Sequence, residues 1–214
     1  MQSPSADQAL TLLDWKRQVF SLYDEVRASQ DPVTAWTSWR AARDRLFSEH
    51  PQSPLPEESR RAFGGLEYYE YDEDLRVLAE IAGVEPERRE IGTSDGSAYA
   101  FERFAVARFE LSGEPLTLEC YWLLGYGGGI FLPFRDATAG TSTYGAGRYV
   151  LDTVKGADLG VQDGRLVLDF NFAYNPSCAY DPRWVCPLAP PANRLSVAIE
   201  GGEKAPEERV GGPL

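Results

Sequence analysis

A chain of 214 residues has the length of one ordinary domain and can bury a substantial core. Hydrophobic residues make up 43% and charged residues 25%, values of a soluble globular protein, and no apolar run is long enough to span a bilayer as a helix. A net charge of −12 repels phosphate backbones and anionic lipid, so neither nucleic acid nor a membrane surface is an expected partner.

The N-terminus lacks a basic start followed by an apolar run, so no signal peptide is expected and the default location is cytoplasmic. Three cysteines, Cys120, Cys178 and Cys186, are too few, and odd in number, to build a disulfide-stapled secreted domain. His50 is the sole histidine, which rules out any site needing two imidazoles. The basic cluster Arg40-Ala-Ala-Arg43-Asp-Arg45 is diluted by Asp44 and Glu49 and reads as a solvated helix face.

Residues 1–5 are expected to be loose. Over 6–28, Leu12 and Leu13, Trp15, Val19 and Phe20, Tyr23 and Val26 recur at three-to-four spacing and predict an amphipathic helix. Asp31-Pro32 supplies an N-cap and a proline at the first helical position, opening a second helix that runs to about residue 49. Trp36, Trp39, Leu46 and Phe47 share one side of it, and the two tryptophans read as core rather than as a stacking platform for a ligand. Pro51, Pro54 and Pro56 break the helix, and 57–63 allows a short helical turn.

Beyond residue 65 the period changes. Strands are predicted over 75–81, 88–92, 98–111, 116–124, 130–134, 147–152, 165–171 and 194–200, with a turn at Ser94-Asp95-Gly96. Alternation slips near 103–104 and 108–109, which predicts bulges or bends. Helices first and closely spaced strands after them define an α+β protein. It reads as a single domain, 1–214, helical over 6–50 and β-rich over 66–200, with 203–214 expected to be mobile. Strands with such short turns would close as a curled antiparallel β-barrel or barrel-like sandwich, the two N-terminal helices covering one face or one open end.

Two blocks concentrate the polar residues, FLPFRDATAGTSTYGAGRYVLD over 131–152 and DFNFAYNPSCAYDPRWVCPLAPPANRL over 169–195. Together with HPQSPL after the second helix and FGGLEYYEYD further on, they resemble the bacterial and archaeal domain-of-unknown-function family numbered 1684, over nearly the whole chain. The resemblance implies no activity, because the family is defined without one. It does imply an acidic residue before Asn193, where this chain has Ala192, so no role is assigned to that position.

Several chemistries lack their sequence unit. Gly125-Tyr-Gly-Gly-Gly129 has no following Lys and Ser or Thr and runs into a strand, so it reads as a hairpin turn or glycine kink, not a phosphate loop. There is no strand–GxGxxG–helix unit for hydride chemistry and no G-x-S-x-G elbow. Cys178 and Cys186 are eight apart, too far for a zinc pair, and no metal or cofactor is expected. Buried free thiols and a disulfide closing a short loop both remain open for them.

Arg135 and Arg148, with Tyr144 near the same rim, suit bidentate capture of a carboxylate or phosphate. Equally, both arginines can pair with Asp136, Asp152 or Asp169 to stabilise an open barrel end. In the predicted strand, Asp169, Asn171 and Ala173 share one face, opposite Phe170, Phe172 and Tyr174. Pointing into a lumen, Asp169 and Asn171 would orient a polar ligand, and a desolvated Asp169 would serve as a base. The expectation is one polar pocket for a small anionic metabolite, in a metal-independent enzyme or a plain binding protein. Arg135, Asp136, Arg148, Asn171 and Asn175 are its ligand-binding candidates, and Asp169 and Tyr144 its catalytic ones. The alternative is a non-catalytic interaction module, its Arg/Asp motifs closing the barrel and its Trp-bearing helices forming a docking surface.

Overall fold

Ser5 opens helix α1 (Ala6–Ala28) with a capping box, its hydroxyl accepting from the Gln8 N–H while the Gln8 side chain accepts from the Ser5 N–H. In this computed structural model, which describes residues 5–206, helix α2 (Pro32–Glu49) follows after a short connection. The Asp31 carboxylate caps it by accepting from the Val33 and Thr34 N–H groups. The two helices run antiparallel: His50, at the end of α2, meets Asp14 at 3.2 Å, and Gln52 meets Thr11 at 2.8 Å. The predicted stripe of α2 is core, with Trp39 fully buried and edge-on to Tyr23, Tyr68 and Phe172. The stripe of α1 is only partly so: Leu22 and Tyr23 are buried, whereas Leu10, Leu12, Leu13 and Phe20 are exposed. A single turn, α3 (Glu57–Arg60), lies in the segment predicted to hold one.

The strands are β1 (Arg76–Gly92), β2 (Ala98–Leu111), β3 (Glu114–Leu123), β4 (Ile130–Phe134), β5 (Arg148–Asp152), β6 (Val161–Gln162) and β7 (Arg165–Asp169). They form one antiparallel sheet in the order β5-β4-β3-β2-β1-β7-β6. The α+β class is as the sequence predicts, but the barrel is not formed. The sheet is open, with β5 and β6 as its edges. Closure fails because β6 has only two residues and the outer edge of β5 is taken by a bridge from Tyr149 to Tyr174 instead of by another strand.

Other differences have local causes. The predicted strands over 75–81 and 88–92 are one strand, whose register with β2 shifts between Gly83 and Glu87, around Pro86, a residue with no N–H to give the ladder. The slip near 103–104 is a real register shift, between Arg103 and Ala105, while pairing through 108–109 is continuous. β7 stops at Asp169 because its carboxylate accepts the Asn171 N–H and caps a 3-10 turn, Phe170–Phe172. Residues 194–200 form no strand, only a single parallel bridge from Arg194 to Arg135. Leu195 and Val197 bond to the backbone of 135–137, but at Ile199 side chains take over: its N–H donates to Asp136 at 2.8 Å, and its carbonyl accepts from Arg148 at 3.0 Å.

Alternate residues of the sheet feed two cores. One holds Leu118, Leu132, Phe134, Leu151, Leu168, Phe170 and Ile199; the other holds Tyr121, Phe131, Tyr149, Phe172 and Tyr174 against the helices. The chain end expected to be mobile is tied in as far as it is described: Glu203 N–H donates to the Ala173 carbonyl, Lys204 to Glu67 and Ala205 to Ser142. The expectations for 1–4 and 207–214 fall outside the described residues. Among the described residues no helix is long and apolar enough to cross a membrane.

Candidate functional site

The two polar blocks meet at the Tyr149–Tyr174 bridge, whose two N–H···O bonds measure 2.9 and 3.0 Å. Around it the sequence-predicted site residues fall into separate groups, not one pocket.

Arg148 and Asp136 form the first group. Gly147 precedes Arg148 at φ +100°, and a Cβ there would lie 2.6 Å from the Phe134 carbonyl, so only glycine lets the chain pass. The Arg148 guanidinium reaches the Asp136 carboxylate at 3.4 Å, the carbonyls of Ile199 and Glu203 at 3.0 and 3.3 Å, and that of Gly201. It also lies 5.1 Å over the Phe134 ring. Burial lowers its pKa, and the Asp136 charge opposes that shift. The second Asp136 oxygen accepts from Thr138 Oγ1 at 2.7 Å as well as from Ile199. Arg135 is aligned with this group only through its backbone, bonded to Asn193 and Leu195. Its half-buried guanidinium has no ion-pair partner among the described residues, and its Nε is buried without a hydrogen bond.

Asp169 and Asn171 form the second group. Asp169 accepts from Tyr71 Oη at 3.2 Å and from the Asn171 N–H and Nδ2 at 3.0 and 2.8 Å. Asn171 in turn brackets Asp72, accepting from its N–H at 3.0 Å and donating to its carbonyl at 2.7 Å. Among the described residues no arginine bonds Asp169. Burial raises its pKa, with the bonds from Asn171 and Tyr71 pulling the other way. It borders a cavity of about 90 Å³ that Arg27 and Arg76 also line. The Tyr144 hydroxyl lies 4.0 Å from the Cys178 sulfur.

Asn175 belongs to a third group whose principal members the sequence did not single out. Its N–H donates at 3.1 Å to Glu203, a fully buried carboxylate that also receives Arg43 at 2.8 Å. Arg43 donates from Nε to Tyr68 Oη at 3.0 Å and stacks over the rings of Trp39 and Tyr174 at 4.9 and 5.2 Å. Burial raises the Glu203 pKa. Among the described residues, three buried polar atoms around this pair have no hydrogen-bond partner, Tyr174 Oη, Asn175 Oδ1 and Glu203 Oε1. Glu203 is part of the wall of a cleft of about 540 Å³ between residues 55–67 and Ala179, Tyr180 and Lys204. The reading of Arg43 as part of a solvated face is corrected, and a signal was present: it lies four residues from both Trp39 and Phe47, on the apolar stripe. Glu203 carried no such signal, sitting in a polar, glycine-rich tail.

The thiols of Cys178 and Cys186 are free and buried. Among the described residues no group of three His, Cys, Asp or Glu side chains could hold a metal ion.

An open antiparallel sheet covered by two helices, with buried ion pairs where its motifs meet, defines an α+β protein of the kind the two blocks suggest. Residues 61–204 match the family described as protein of unknown function (DUF1684), and the chain belongs to that family. It is also similar to the solution NMR structure of an uncharacterised protein of Haloarcula marismortui, with 39% identity and a TM-score of 0.58 over 80% of this chain and 92% of that one. No curated protein matches it.

Proposed function

We propose that the protein binds a small, neutral metabolite rich in hydroxyl or amide groups in the cleft beside Glu203. The observation that carries this reading is the concentration of unpartnered buried polar atoms around the Arg43–Glu203 pair. A buried acceptor with no donor costs roughly 1–3 kcal/mol, more when charged, and such groups persist where a bound molecule completes them. Glu203 Oε1 and Asn175 Oδ1 need donors, while Tyr174 Oη can give one. That mixture suits a hydroxyl or amide, which gives and accepts, better than an anion. The arginine beside it is already committed to Glu203, and Arg148 is enclosed by Asp136 and three carbonyls. Arg135, the one cation of the predicted set with no ion-pair partner among the described residues, is what remains in favour of an anionic ligand.

Thermal-shift measurements with separate panels of polyols, amides and carboxylates test this reading. A ligand raises the melting temperature in proportion to its occupancy. Polyols or amides should stabilise the parent and lose their effect in Ala62→Trp, which fills the cleft from an exposed rim position. Stabilisation by carboxylates alone, abolished by Arg135→Gln and untouched by Ala62→Trp, would overturn it in favour of the anion.

The interaction-module alternative keeps one observation. Its docking surface cannot be Trp36 and Trp39, which are core, but α1 exposes Leu10, Leu12 and Leu13.

A further inference from the structure

Cys178 and Cys186 are used by none of the polar groups above, yet the fold brings them together. Cys178 sits in a 3-10 turn, Ser177–Ala179, and Cys186 returns to it after an outward loop in which Pro182, Arg183 and Val185 are exposed. The Cys178 N–H donates to the Cys186 sulfur at 3.4 Å, which places the two cysteines side by side. Ser94, in the turn joining β1 to β2, holds this arrangement from the other side. Its N–H donates to the Cys186 carbonyl at 3.1 Å, and its hydroxyl accepts from the Cys186 N–H at 3.2 Å. Tyr149 Oη donates to the carbonyl of Pro187, fixing the residue after Cys186.

We propose that Cys178 and Cys186 are a redox-active dithiol that reduces hydrogen peroxide and closes to a disulfide. The roles of the two sulfurs differ. Cys178, whose sulfur lies 4.0 Å from the Tyr144 hydroxyl, has its pKa lowered to about 6 by the adjoining Cys186, so Cys178 is the attacking thiolate. Cys186, whose pKa is raised by its Cys178 neighbour and by burial, is the resolving thiol. The Cys178 thiolate attacks one peroxide oxygen, forming an S–O bond and releasing the other oxygen as hydroxide, which takes up a proton as water. The resulting sulfenic acid is attacked by Cys186, forming the S–S bond and expelling a second water. Two thiols lose two protons and two electrons, and one peroxide takes them up to give two waters. A cleft of about 290 Å³ lined by Val185 and Pro187, the residues either side of Cys186, opens beside the pair. Cys120, buried in β3 with its pKa pushed up to about 12 by burial, takes no part.

The experiment treats the reduced full-length protein with one equivalent of peroxide, blocks remaining thiols under denaturing conditions and maps the cysteines by mass spectrometry. The expected product is a 178–186 cross-link two hydrogens lighter than the dithiol, with Cys120 alkylated. In Cys186→Ser the sulfenic acid at Cys178 should persist and be captured by dimedone, and in Cys178→Ser the Cys186 thiol should remain unmodified. Recovery of both thiols alkylated in the parent, over-oxidation of Cys178 with no cross-link, or a cross-link through Cys120 overturns the proposal. The parent measurement decides alone should either variant fail to fold.

Discussion

Arg148 and Asp136, each with a side chain 1% exposed, meet at 3.4 Å and between them hold five groups of the segment 199–203 and its neighbours: the carbonyls of residues 199, 201 and 203, the Ile199 N–H and Thr138. A buried pair of this kind is a poor source of net stability but a costly one to break, because the survivor is left charged in the interior. Arg148→Met should therefore destabilise the protein by about 3–5 kcal/mol in urea unfolding. Asp136→Asn with Arg148→Met should cost less than the sum of the two single changes, since the double variant leaves no lone charge. Additive losses would show that the two side chains act independently.

Gly202 marks where this clamp requires a particular backbone. It has φ +74°, and a Cβ would sit 2.5 Å from the Ala173 carbonyl and 2.7 Å from that of Phe170. Gly202→Ala should cost at least about 1–3 kcal/mol, from the left-handed conformation and the clash together. It should do so without altering the midpoint slope in denaturant, because the unfolded state is nearly unchanged. Gly64→Ala is the control, since nothing lies within 4 Å of its Cβ and its φ is ordinary.

How far the fold could be read from residues depended on whether the information was local. The helix ends were legible because Asp31, Pro32 and the prolines after residue 50 act on their own neighbours. β4 matched its apolar run for the same reason. The end of β7 was not legible, because one local rule displaced another: the alternation of Asp169 and Asn171 continues a strand, but the Asp169 carboxylate captures the Asn171 N–H. The open edge was hidden because closure depends on which distant segment reaches β5 first, and a bridge from Tyr174 does. The candidate site was half legible. Asn175 was chosen for its amide, and Arg43 was passed over because neighbouring charges masked its place on the Trp39–Phe47 stripe. Glu203 lies 160 residues beyond its partner Arg43, a distance no periodicity spans.

Asp169→Asn separates a carboxylate held by hydrogen bonds from one held by an arginine. An amide in that position keeps an oxygen for the Asn171 donors and offers N–H to the Tyr71 hydroxyl, so the change should stay within about 1 kcal/mol of the parent. Asn171→Ala removes the bonds to Asp72 and Asp169 together and should cost more, about 1–3 kcal/mol. A reversed order in thermal or chemical unfolding would mean that Asp169 is needed as an anion.

Glu203 makes a prediction in pH. Burial raises its folded-state pKa above the ordinary 4.5, so between 4.5 and the raised value the native state holds a proton that the unfolded state has released. Stability then falls as pH rises through that window. The contribution is fully present below 4.5 and is lost above the folded value. Asp169, also raised by burial, acts with the same sign. Asp95, held down to about 2 by its bonds from Thr93 and Ser97, acts with the opposite sign and only below 3.8, outside this window. Glu203→Gln removes one of the two titrating carboxyls while keeping its shape. The parent should therefore gain melting temperature relative to the variant as pH is lowered from about 7 to about 5, where its own carboxyl becomes neutral like the amide. Asp169→Asn under the same titration gives the second contribution, and the two should add because the groups share no hydrogen-bond partner. A gap between parent and Glu203→Gln that does not change over this range would place Glu203 as a permanent anion locked to Arg43.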